Sequence, residues 1–132
     1  MSTTDDAAAI AFARGKYGCA SLPIGNRTES KAASLASRVR AAYPHVDVEV
    51  GSHPVGRFDI AIDATSLGMN LADELPLSRD IITQSALIAE CVIAPEMTRL
   101  LDAARVAGRA IHTGVPMLAA QMNLMLQFMD VE

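Results

Sequence analysis

The sequence predicts one α/β domain over residues 1–132, a three-layer sandwich of helices around a mostly parallel sheet. Apolar runs of strand length alternate with helical patterns, the order that a parallel sheet with crossover helices requires. One run, ALIAECVIA at residues 86–94, is almost continuous, of the kind that parallel sheets bury on both faces. The chain is 51% apolar and 20% charged over 132 residues, enough for a real core and too apolar for disorder.

The elements follow in order. Residues 7–18 (AAAIAFARGKYG) predict a helix with Asp5 and Asp6 at its N-terminus and Gly18 as its stop. Residues 20–26 (ASLPIGN) form a short strand candidate weakened by Pro23. From Thr28, a suitable N-cap, Ala32, Leu35, Ala36, Val39 and Ala42 fall on one helical face, and Pro44 marks the exit. Residues 46–50 (VDVEV) alternate strictly, as a half-buried strand does. Residues 59–65 (DIAIDAT) predict a strand with a buried middle, and a helical turn separates it from the 86–94 run. Residues 98–108 predict a helix with a glycine stop, 109–114 a last short strand, and 116–130 a final helix with proline at its start.

Composition narrows the function. The net charge of −4 comes from 11 basic and 15 acidic residues without a basic patch, so nucleic acid is not an expected partner. Cys19 and Cys91 form no CxxC pair, and His45, His53 and His112 have no ligand spacing, so neither a metal site nor a disulfide framework is expected. The N-terminus lacks the pattern of a signal peptide, and no apolar run reaches membrane-spanning length. The expectation is a soluble cytoplasmic chain that does not engage a membrane.

Sheets of this kind bind ligands beyond the carboxyl ends of their strands. Those ends are residues 25–28, 64–69, 91–93 and 113–114. In GNRTESK, Arg27 and Lys31 stand one helical turn apart just after a strand. A dinucleotide site needs cations there for the 2′-phosphate of NADP, and the planar guanidinium suits a phosphate. The same two residues equally suit a solvated helix start. DATSLGM offers the hydroxyls of Thr65 and Ser66, but alone it is an ordinary strand exit. Gln121, in a helix otherwise rich in methionine and leucine, suits either a polyol or solvent.

Taken in order, NRTESK, FDIAIDATSLGM with the following LPL, and GVPMLAAQ resemble the cofactor-binding C-terminal half of the shikimate dehydrogenase family, over nearly the whole chain. The resemblance implies a Rossmann-like fold and the NADPH-dependent reduction of 3-dehydroshikimate. It also implies that Asn26, Arg27, Thr28 and Lys31 hold the 2′-phosphate, and that Ala64, Thr65, Ser66 and Leu67 line the cofactor cleft. Cys91, Gly114, Met117 and Leu118 would then lie near the nicotinamide, with Gln121 on the substrate.

The departures from the family are equally specific. No G-x-G occurs in the chain, and the family's glycine-rich loop falls where TTDD stands. Asp5 and Asp6 would themselves satisfy the helix N-terminus and repel a diphosphate. Ile93 stands at the family's substrate-binding tyrosine, and Pro116 at the second glycine of its GLGM-like segment. No lysine or aspartate matches the family's proton-transfer pair, so no catalytic residue is assigned. The first, central strand of the family's sheet is expected to be lost or altered. These features lead to an expectation of an isolated chain without turnover, with weak or lost NADP binding. The competing expectation is a non-catalytic binding or assembly module. The apolar final helix, with Met122, Met125 and Met129, implies a homodimer or larger assembly, or a separate chain that supplies the substrate domain; alternatively the helix covers its own core.

Overall fold

Strand formation splits the chain between two sheets, both parallel and each contained in one compact unit, Met1–Val55 and Gly56–Glu132. The computed structural model describes residues 3–51, 56–65, 74–92, 95–116, 119–120 and 122. The fold is α/β with parallel sheets, as expected.

The first unit runs α1 (Thr3–Lys16), β1 (Ser21–Ile24), α2 (Glu29–Ala42) and β2 (Asp47–Val50). The backbone of α1 already includes the TTDD stretch, so a helical turn stands where the family's glycine loop was sought. β1 and β2 pair in parallel from Ser21↔Asp47 to Ile24↔Val50. Asp47 N donates to Ala20 O and Gly51 N to Ile24 O, so alternate residues of β1 from Ala20 to Ile24 face β2. Pro23 therefore faces away, and its missing N–H costs no bond to β2.

On α2 the expected stripe buries Ala32, Leu35, Ala36 and Val39. Ala42 departs from the expectation: it is the last helical residue, and it is exposed beyond the end of the sheet contact. The core joins this stripe to Ala11 of α1 and to Val46 and Val48, with Phe12, Leu22 and Tyr43 packed around it. Arg40 reaches from α2 to β2, where its Nε and Nη2 donate to Val48 O at 3.2 and 2.6 Å.

The second unit runs β3 (Phe58–Asp63), α3 (Arg79–Gln84), β4 (Ser85–Glu90), α4 (Arg99–Val106) and β5 (Ala110–His112), with sheet order β3-β4-β5. Ser78 and Thr98 cap the two helices, accepting from Ile81 N and Leu101 N at 3.3 Å each. α4 stops at Gly108, whose φ of 76° suits a residue without a Cβ, and Arg109 N closes the turn on Ala104 O at 2.9 Å. Ile82, Ile88, Leu100, Leu101 and Ala104 form the core. Each large side chain buried there contributes about 1.5–3 kcal/mol.

Two strand expectations need correction. In β3 the middle residues Ile60, Ala61 and Ile62 are only half-buried, and Asp63 at the end is the buried one. The 86–94 run is strand only to Glu90, and Ala86 is exposed rather than covered on both faces. Ile88 of β4 packs with Leu100, Leu101 and Ala104 of α4. Of the expected final helix, residues 115, 116, 119, 120 and 122 are helical, with Val115 and Met122 exposed; the rest of 116–130 lies outside the described residues.

Candidate functional site

In the first unit the chain leaves β1 at Ile24 and enters α2 at Glu29 through the predicted motif. Asn26 is half-buried, and its Oδ1 accepts from Thr28 N at 2.9 Å, fixing the turn before the helix. Thr28 is the N-cap, as expected, but its hydroxyl makes no capping bond; its carbonyl accepts from Lys31 N at 3.0 Å. The helix start is held by backbone and by Asn26, which leaves the threonine hydroxyl uncommitted. Arg27, Thr28 and Lys31 are exposed, and among the described residues neither cation forms an ion pair. Glu29 adds one negative charge to the first turn.

In the second unit the three parallel strands end along one sheet edge. Ala64 and Thr65 follow β3, Cys91 follows β4, and Thr113 and Gly114 follow β5. Cys91 N donates to Asp63 O at 3.1 Å, continuing the pairing past the strand ends. Gly114 is buried against the same segment: a Cβ there would lie 2.5 Å from Val92 O and 2.7 Å from Cys91 O. The sequence thus brings Ala64, Thr65, Cys91 and Gly114 to one edge of one sheet. Ser66, Leu67, Ile93, Met117, Leu118 and Gln121 lie outside the described residues.

Sequence reasoning passed over the most unusual chemistry of that edge. Asp63 and Glu90 are register partners at the ends of β3 and β4, 2% and 0% exposed. Asp63 Oδ1 accepts from Thr65 N at 2.9 Å and from Thr65 Oγ1 at 2.6 Å. Glu90 Oε1 accepts from Thr98 Oγ1 at 2.7 Å. Among the described residues, Oδ2 of Asp63 and Oε2 of Glu90 have no hydrogen-bond partner. Burial raises the pKa of Asp63 above its ordinary value, against the lowering pull of Thr65. Burial pushes Glu90 up to about 7, with the Asp63 charge adding to the rise and the Thr98 bond opposing it. The signal was available: the apolar runs FDIAID and SALIAE each finish on an acid.

No family model matches the chain. A shikimate dehydrogenase (NADP(+)) of Methanocella arvoryzae is 35% identical over 117 residues, covering 87% of this chain and 43% of that protein. One of Haloarcula marismortui is 36% identical over 113 residues, covering 86% of this chain and 42% of that protein. The chain is similar to shikimate dehydrogenases over most of its own length. It spans less than half the length of these relatives. Among solved structures, the ligand-free 5-ketofructose reductase of Gluconobacter sp. strain CHM43 is similar with a TM-score of 0.79 and 26% identity, over 92% of this chain and 46% of that one. A shikimate dehydrogenase in complex with NADP+ shares the fold, with a TM-score of 0.63 at 18% identity over 87% of this chain and 51% of that one. Among the described residues, no helix is long and apolar enough to cross a membrane.

Proposed function

We propose that residues 1–132 are one NADP-binding domain of a shikimate dehydrogenase-like oxidoreductase. The observation that carries this reading is the start of α2: an Asn26-held turn that leaves Arg27, Lys31 and the Thr28 hydroxyl exposed without partners among the described residues. That donor set fits a phosphate monoester, and the curated relatives carry NADP(+) in their names. In this reading Asn26, Arg27, Thr28 and Lys31 take the 2′-phosphate. Ala64, Thr65, Ser66 and Leu67 line the cleft, Cys91, Gly114, Met117 and Leu118 lie near the nicotinamide, and Gln121 touches substrate. The bound cofactor supplies the hydride, and these residues bind and orient it.

The start of α1 does not fit a diphosphate. Its first turns carry Asp5 and Asp6, whose charges oppose an anion at the helix N-terminus. This favours weak NADP binding and a domain that does not turn over alone. A separate or adjoining substrate domain supplies proton transfer on a cyclic polyhydroxy ketone such as 3-dehydroshikimate, in the cytoplasm. The same aspartates favour a second reading, a non-catalytic binding module.

Titration with NADPH, with NADH as control, separates the two readings. The first expects saturable NADPH binding that Arg27→Ala weakens about 10- to 100-fold, the equivalent of about 1.5–3 kcal/mol for a charged hydrogen bond, while NADH binding is unchanged. No saturable binding at millimolar cofactor supports the binding module.

A further inference from the structure

The buried acids at the ends of β3 and β4 have a role that does not depend on what the domain binds. Neighbouring strands lie about 4.8 Å apart, so register partners bring their carboxyl groups close together. Asp63 and Glu90 are both buried, and each commits one oxygen to a threonine while the other has no hydrogen-bond partner among the described residues. Two bare carboxylates cannot both stay ionised in such a place at low cost.

Most charged side chains on the surrounding elements lie at the surface. Asp59 on β3, Arg79 and Asp80 on α3, Arg99, Asp102 and Arg105 on α4, Glu96 before α4 and His112 on β5 are all exposed. Asp102 is paired with Arg105 at 2.6 Å. Arg109, before β5, is half-buried, and its Nε has no hydrogen-bond partner. Cys91, the adjacent thiol, is half-buried. Among the described residues, no cation forms an ion pair with either carboxylate.

We propose that Asp63 and Glu90 hold one proton between them and act as a proton-operated latch on the C-terminal edge of the second unit's sheet. With the proton in place the two strand ends stay together. Asp63 then holds the Thr65 turn, and Glu90 holds Thr98, the cap of α4. Loss of the proton sets two like charges against each other and loosens both the segment after β3 and the start of α4.

The sign follows from linkage. Glu90 binds its proton more tightly in the folded chain, at about 7 against 4.5, so its stabilisation is complete below 4.5 and is lost as pH rises through about 7. The test is thermal unfolding between pH 5 and 9 for the wild type, Asp63→Asn and Glu90→Gln, with the infrared spectrum of the wild type at pH 6 and pH 9. The latch expects a wild-type Tm that falls as pH rises through 7. It expects a flatter profile in each variant, since either amide removes one charge and can donate to the remaining carboxylate. It also expects a protonated-carboxyl band at pH 6 that disappears at pH 9. Equal pH slopes in all three proteins would overturn it. So would absence of that band from the wild type at pH 6, an outcome that can be read even if a variant fails to fold.

Discussion

Gly114 shows how a single missing Cβ holds a sheet edge together. The segment after β5 passes so close to the end of β4 that a methyl group would meet two backbone carbonyls, of Cys91 and Val92, which cannot rotate away. Gly114→Ala is expected to destabilise the second unit by about 1–3 kcal/mol, the cost of overpacking, read as a lower urea midpoint. An unchanged midpoint would mean that the two segments part freely. Gly114 was legible as a strand-end residue, because parallel strands gather their carboxyl ends. Its reason for being glycine was not, since only the folded chain shows what its Cβ would strike. The Asp63–Glu90 pair escaped for a related reason. Each acid reads as the polite end of an apolar run, and only the register makes them neighbours. Asn26 was legible in the motif, whereas its bond to Thr28 N, which fixes the turn just before the helix, was not.

Among the elements, α4 depends most on one side chain. Thr98 Oγ1 accepts from Leu101 N while donating to Glu90, so one hydroxyl both starts the helix and supports the buried acid. Thr98→Ala is expected to cost about 2–4 kcal/mol, combining a lost cap of about 1 kcal/mol with a buried acceptor left without its donor. Thr98→Ser is expected to restore most of it, by the same denaturation measurement. If serine were no better than alanine, the loss would lie in packing of the methyl group. The elements were read well where pattern and punctuation agree: α2 from its 3.6-residue stripe, and α4 from its glycine stop. β3 was misread because its pattern says that Ile60, Ala61 and Ile62 are apolar but not how many elements cover them. Among the described residues β3 has one neighbouring strand in its sheet, and its middle stays half-exposed.

For the whole molecule, the assembly expected from the sequence rests on the last part of the chain, where Val115 and Met122 are exposed in a segment otherwise rich in methionine and leucine. Light scattering over a dilution series is expected to give at least a dimer, and Met125→Glu is expected to shift it toward monomer; a monomer at every concentration would refute the assembly. The other route by which β-containing chains associate is obstructed at one place by Arg40. Residues Asp47 and Gly51 of β2's pairing face β1, so the carbonyl of Val48 between them points to the opposite side. Its lone pairs are occupied by the guanidinium of Arg40 through two charge-assisted bonds. A stray strand seeking to extend the sheet there would have to evict a cation from its seat, so the first unit carries its own guard against ribbon-like aggregation on that border.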